Sequence, residues 1–491
     1  MTSPNGLICF TNCLLPQEDG NLIEQDLWID ERRGIVLDSQ KTFFLRKIRP
    51  DRVVDLGGNI LSPGFMDIQL NGGYGFDFSV YDDDEAYMQG LKMVAERIIE
   101  TGVTSLVPTV ITQEKSLYPK LLSLLKPFQT EKSAALLGWH AEGPFIEHAK
   151  RGIHADSFLL SAPSGTKSFE AVYGSNNLIH QEDWVMGNEH VVGVRIITAA
   201  PEKEGVMEAI GDLTKRGVIL SIGHSTASTE EATNAMRHGA KLITHLFNAM
   251  PQLHHRDPSI IGLLGASPHI SPFIDPMDAD SSPALSATSG TVEEHMSMLD
   301  GSTPPMTPIS TRAPSVSSTS SRKSRKALHL DKGQVADMEF ERPFYGIIVD
   351  GVHCHPNSVR LAYSSLPEKC ILVTDAQRIL DPHLKDGVYE WRDGQRYVKE
   401  GDKLYLEGTD TLAGTVVTLD KCVRNLSRFT GCSLGEAIKC ATYNPAKCLG
   451  IENRKGTLRP GADADLVVLD RQGRVLSTWV KGKLAHTTES S

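Results

Sequence analysis

The sequence predicts a (β/α)8 barrel of the TIM type, in the α/β class, carrying a small β-sandwich formed from both chain termini. Two observations predict the barrel: eight short apolar runs recur along the chain, and most of them end in a polar residue followed by a segment of helical character. A third predicts the sandwich. Residues 6–62 and 455–487 share an alternating apolar and polar texture, broken by turn residues, that the middle of the chain lacks.

The N-terminal stretches GLICFTNCLL, DLWIDERRGIVLD and RVVDLGGNILSPG read as antiparallel β-structure, as does KGTLRPGADADLVVLDRQGRVLSTWVKGKLAHT near the other end. Sheets that small are marginal alone, so one composite sandwich from residues 1–62 and 451–491 is expected, with the barrel inserted as 63–450. The barrel runs are LSPGFMDIQLN (61–71), VTSLVPTV (103–110), LLGWHAEGPF ending at Phe145, VVGVRIITAAP (191–201), VILSIGHS ending at Ser225, LITHLFNAM ending at Met250, FYGIIVDGVH ending at His353 and CILVTDA ending at Ala376. Runs without clean alternation suit strands buried on both faces, and helical patterns between them suit parallel βα units. In such a barrel the loops after the strands converge on one mouth. Glu142, His224, His245, His353 and Asp375 are therefore expected neighbours.

At 491 residues the chain accommodates a barrel and a second domain. The net charge of -11 argues against a nucleic-acid partner, since that affinity comes mainly from Lys and Arg neutralising phosphates. No run approaches the ~18 apolar residues of a membrane span, and the N-terminus lacks a basic flank before a long apolar core, so a cytoplasmic protein without a membrane partner is expected. The eight cysteines are scattered without a CxxC pair, which suits reduced thiols with no metal role. From about 267 to 339 the chain turns rich in Ser, Thr and Pro, with RKSRK at 322–326. That composition buries too little apolar surface to offset chain entropy and reads as a disordered insertion between the sixth and seventh strands, serving either as a tolerated surface loop or as a docking or phosphorylation segment.

Glu142 in HAEGPF, His224 in GHST and His245 in THLFNAM form a donor set for one divalent cation. Two imidazoles and a carboxylate leave a coordination position open, the pattern of a catalytic site, and a water there can fall to a pKa of about 7. Singly, each of the three is equally readable as a hydrogen-bonded structural residue; together, at three strand ends of one barrel, they point to the ion. Zinc is the leading candidate, and iron, cobalt or manganese suit the same donors. Asp375 in LVTDA either caps the next helix or accepts the nucleophile's proton and returns it to a leaving amine. His353 in DGVH could donate to a carbonyl or the oxyanion formed from it, and His154 in KRGIHAD could face the same pocket, although taken singly either histidine is more often a structural or surface residue. Arg256 offers a fork for phosphate or carboxylate, or else a surface salt bridge. The backbone of Asn248 and Ala249 is placed to approach a ligand, and a turn at Gly414 would bring Leu412 and Ala413 close.

These strings, from PGFMDIQLNGGYGFDF through HAEGPF, KRGIH, GHS, THLFNAM, RPFYGIIVDGVH, LVTDA and LAGT to GADADLVVLD, resemble in order those of the amidohydrolase superfamily, and within it the N-acetylglucosamine-6-phosphate deacetylase family. The resemblance covers nearly the whole chain outside the Ser/Pro-rich insertion. It implies a metal held by Glu142, His224 and His245, Asp375 as acid and base, and substrate contacts at Ile153, His154, Asn248, Ala249, Arg256, the Asp350 to His353 turn, and Leu412, Ala413 and Gly414. It also implies a phosphorylated amino-sugar substrate losing acetate, and a homodimer. Many members of the wider superfamily carry His-x-His at the end of the first strand, where this chain has Gln69, Leu70 and Asn71; neutral amides are poor ligands, so a single-metal centre is expected. The competing readings are a related hydrolase for another N-acyl or cyclic amide, and a non-enzymatic scaffold that uses the insertion to bind a partner.

Overall fold

The computed structural model describes residues 4–124, 129–179, 193–266, 341–390, 395–409 and 412–488. The Ser/Pro-rich segment lies outside them. Eight parallel strands form the barrel wall: Phe65–Leu70, Val103–Ile111, Trp139–Glu142, Val194–Ala199, Ile219–Ile222, Leu242–Ile243, Phe344–Ile347 and Cys370–Leu372. Each coincides with one of the eight apolar runs. The second strand is buried at all nine positions, as a strand covered by the barrel interior on one face and helices on the other must be.

The ladder runs unbroken from the first strand to the eighth. Between the eighth and the first, the seam is closed by single bonds from residues just past the end of the eighth strand. Asp375 donates its N–H to Gln69 O at 2.8 Å, and Asn71 donates its own to Ala376 O at 2.9 Å. Thr374 Oγ1 adds a 2.6 Å bond to the buried Asp67. Helices return the chain between strands, and their starts are legible. Ser228 and Glu231 form a capping box before the helix Thr229–Arg237, and Ser433 and Glu436 another before Leu434–Lys439, each satisfying backbone donors that a helix start leaves free.

The termini meet in one six-stranded sheet, ordered Lys483–Thr487, Val475–Val480, Leu466–Leu469, Ile60–Pro63, Leu14–Pro16, Leu22–Glu24. A four-stranded sheet of N-terminal strands packs on it through Ile8, Phe10, Leu27 and Ile29, with Phe10 edge-on to Trp479 at 5.0 Å. The strand Leu466–Leu469 shows why the ends belong together. Leu466 and Val468 face the sandwich core, whereas Val467 and Leu469 face the barrel core, so the strand is buried on both sides.

One element has no counterpart in the expectations. After the eighth strand the chain forms a three-stranded antiparallel sheet, Gly387–Glu390, Arg396–Glu400 and Lys403–Leu406, around a small core of Ile379, Tyr397, Leu404, Ala413 and Val416. Alternation in RYVKE and KLYL, with a Gly-Asp turn between, is the signal that would have found it.

Candidate metal centre

Glu142 is the last residue of the third strand, and His224 and His245 follow the fifth and sixth by two residues each. Their side chains converge. Glu142 Oε1 lies 2.9 Å from His224 Nε2 and 3.0 Å from His245 Nε2, and the two Nε2 atoms are 3.0 Å apart. All three residues are buried, and among the described residues they are the one cluster of His, Cys, Asp and Glu side chains with metal-holding geometry.

Protonation decides whether a cation fits there. His224 Nδ1 sits 2.8 Å from the Lys150 carbonyl, which can only accept, so that nitrogen carries the proton and a neutral ring turns the Nε2 lone pair into the cluster. Burial would raise the Glu142 pKa, but the two imidazoles set against it, as hydrogen-bond partners and as charges when protonated, hold it well below the ordinary value. An ionised carboxylate oxygen and imidazole nitrogens aimed at one point repel each other unless a proton or cation lies between them. The donor set matches the hydrolytic two-His, one-carboxylate pattern.

The backbone is strained at these positions. His224, His245 and Asp375 have φ of 48°, 23° and 49°, in the left-handed region that non-glycine residues occupy at a cost of about 1–3 kcal/mol each. Such turns swing side chains off the strand ends over the barrel mouth. Gly223 permits the first: a Cβ there would meet Thr244 Cβ at 2.6 Å.

Asp375 is half-buried, and desolvation followed by the Glu142 charge pushes its pKa up to about 6. That value leaves it mostly ionised at neutral pH, yet close enough to return a proton. His154 is buried with its Nδ1 2.7 Å from Thr112 Oγ1 and its ring centroid 4.5 Å from that of His224. His353 and Asp350 form a pair: Nδ1 lies 2.6 Å from Asp350 Oδ2, while Asp350 Oδ1 accepts the Val352 and His353 N–H groups at 2.8 Å each. Burial works against the Asp350 charge, but the His353 bond outweighs it and holds the pKa below the ordinary value. Asn248 donates its N–H to His245 O and its side-chain amide lies 3.7 Å from Cys354 Sγ, linking the sixth-strand loop to that turn; Ala249, with φ 50°, is half-buried.

Gly414 has φ 108°, and a Cβ on it would come 2.3 Å from Gln377 Cγ, so the turn requires glycine. Thr415, just after it, bridges to Ala376 beside Asp375, while Leu412 pairs with Tyr405 and Ala413 donates its N–H to Leu404 O in the three-stranded sheet. Ile153, 43% exposed, and Arg256, on the surface, make no described contact with the cluster. The Arg256 guanidinium has no partner among the described residues.

Residue chemistry alone passed over the supporting groups. Gln69 Nε2 donates to Glu142 Oε1 at 3.3 Å and Asn71 Nδ2 to Asp375 Oδ1 at 2.6 Å, so the two amides support the acidic side chains. His140 shares the inward face of its strand with Glu142, an i, i+2 relation visible in HAE. Burial depresses its pKa to about 4, and the neutral ring bonds Ile68 O and Thr198 Oγ1 beneath the centre. His355 accepts the Asn357 N–H and caps the helix Pro356–Ser365.

The amidohydrolase family pattern matches residues 60–485, spanning the barrel and most of the C-terminal strands. This chain belongs to the amidohydrolase family. It is 36% identical to an N-acetylglucosamine-6-phosphate deacetylase of Caenorhabditis elegans over 98% of this chain and 94% of that protein. It is also 36% identical to the enzyme of that name from Homo sapiens, over 98% and 96%. A crystal structure of N-acetylglucosamine-6-phosphate deacetylase from Pasteurella multocida superposes with a TM-score of 0.67 at 22% identity, covering 98% of this chain and all of that one, and shares the fold. Within the family the Glu142, His224 and His245 cluster stands where a divalent metal is implied.

Proposed function

We propose that the chain removes acetate from N-acetyl-D-glucosamine 6-phosphate, giving D-glucosamine 6-phosphate. The observation that carries this reading is the convergence of Glu142, His224 and His245 beside a half-buried Asp375, in an amidohydrolase similar over nearly its full length to enzymes of that name. A divalent cation held by the three side chains supplies Lewis acidity and an acidified water when bound.

The chain's own residues do the rest. Asp375 takes the proton of the attacking water and delivers it to the departing amine, which leaves only when protonated. His353, its Nδ1 held by Asp350, presents Nε2 to the acetyl carbonyl and the oxyanion that develops there. His154, Asn248, Ala249 and the turn at Leu412, Ala413 and Gly414 line the sugar's place, the exposed Ile153 edges it, and Arg256 receives the phosphate as a bidentate fork. Zinc fits the donor set, with iron, cobalt or manganese as other occupants. The reading includes one ion per subunit, a homodimer and a cytoplasmic location. It also includes the division of the chain into a sandwich of 1–62 with 451–491 and a barrel of 63–450 interrupted at about 267–339.

Acetate release from the phosphorylated sugar, with elemental analysis of the same sample, tests the proposal: chelation should abolish release, and one equivalent of metal should restore it. Arg256 tests the substrate. Arg256→Ala should raise KM for the phosphorylated sugar by about tenfold or more, the worth of a charge-assisted bond, and leave the unphosphorylated sugar little changed. The opposite pattern would favour a different N-acyl or cyclic amide substrate.

A further inference from the structure

We infer that Asn71 is a positioning residue that fixes which carboxylate oxygen of Asp375 is presented to the scissile amide. The inference rests on the reading of Asp375 as the proton-transferring group. A carboxylate has two equivalent oxygens and a soft terminal torsion, so either can turn toward a substrate unless something distinguishes them. Asn71 does so: its Nδ2 donates to Asp375 Oδ1 at 2.6 Å, which leaves Oδ2 as the oxygen outside that bond.

Asn71 is itself immobilised. It is buried, its N–H donates to Ala376 O at 2.9 Å, and its carbonyl accepts the Phe78 N–H at 3.0 Å. Its Oδ1 is buried with no donor among the described residues. The amide thus turns its donor end to the carboxylate and leaves its acceptor end unpaired, the orientation an ionised Asp375 demands. A purely structural role is largely filled by the backbone, since Asp375 N–H to Gln69 O and Asn71 N–H to Ala376 O close the barrel seam, and the side chain adds only a long 3.5 Å contact from Nδ2 to Asp375 O. The same amide cannot replace a ligand of the cation, because the described contact runs to Asp375.

The test compares Asn71→Ala and the isosteric Asn71→Asp with Asp375→Asn, all as metal-loaded full-length protein on N-acetylglucosamine 6-phosphate. Asn71→Ala should lower kcat by about 10- to 100-fold, the cost of a misaligned reacting group, while KM stays within about twofold and metal content is unchanged. Asn71→Asp should be worse still at neutral pH, because a second carboxylate against Asp375 Oδ1 either repels it or captures its proton. A packing role predicts the reverse order, with the same-shaped Asp milder than Ala. That reversal, a loss confined to KM, metal loss in both variants, or unchanged kcat in Asn71→Ala while Asp375→Asn is inactive would each overturn the positioning role and leave the proposed function standing. Full turnover in Asp375→Asn would remove the reading of Asp375 and this inference with it.

Discussion

Two buried charge clusters sit at different places in this molecule and are built as opposites. At the barrel mouth one carboxylate, Glu142, lies between two imidazoles. Under the terminal sheet one ammonium, Lys455, lies between two carboxylates, 3.0 Å from Asp463 and 2.5 Å from Asp465, with Arg454 closing on Asp463 at 2.5 Å. The second cluster is complete: two cations meet two anions, and none of the four residues has a left-handed backbone. The first is incomplete, with strained φ at both histidines and at Asp375, and His245 Nδ1 buried without a partner among the described residues. A cluster that only holds the fold together is free to satisfy every group. One that works leaves groups poised for what arrives.

Substitution should separate the two most sharply at Asp375. Asp375→Asn is expected to cost about 100- to 10,000-fold in turnover while keeping its metal and losing no melting temperature, read by acetate release, elemental analysis and calorimetry. A large fall in Tm would break the contrast. Lys455→Met should do the reverse. It leaves the buried Asp465 without its ammonium partner, at about 3–5 kcal/mol, and lowers the denaturation midpoint without changing kcat per folded molecule.

Acid should reach the terminal cluster by a predictable route. Burial opposes the Asp463 charge, but Lys455 and Arg454 outweigh it, so the folded pKa lies below the ordinary value. Such a group stabilises the fold fully above its unfolded pKa of about 3.9, and the contribution vanishes as pH falls through the folded value. For Lys455, burial is outweighed by Asp465 and Asp463 and the pKa is raised, so its contribution persists at neutral pH and is lost only at strongly alkaline pH. Urea midpoints of wild type and Lys455→Met should therefore converge below about pH 4. The smallest effect is expected at Asp350→Asn. Loosening the His353 ring should lower kcat about tenfold, with metal content and Tm unchanged in the same assays.

Much of this was legible in the chain. The eight strands announced themselves because parallel strands buried on both faces must be continuously apolar, and VTSLVPTVI is buried throughout. Glu142, His224, His245 and Asp375 stood out because a polar residue directly after such a strand needs a reason. The pairing of Gln69 with Glu142 and of Asn71 with Asp375 was not legible. An amide reads as a poor ligand, and its true partner lies 73 or 304 residues away. The three-stranded sheet after the eighth strand lies outside the expected elements although its alternation is plain, and Ile153 and Arg256 carry no described contact that would tie them to the cluster.

The sequence by itself determined the fold class, the joining of the two ends in one sandwich, and which side chains could bind a cation or move a proton. Those follow from local quantities: hydrophobic period, strand length and the chemistry of single residues. Only the tertiary structure decided which nitrogen of His224 faces Glu142 and His245, which oxygen of Asp375 is held, and how the barrel closes between its first and eighth strands. Each of these depends on a bond of about 3 Å between residues far apart in the chain, and no local pattern carries that distance.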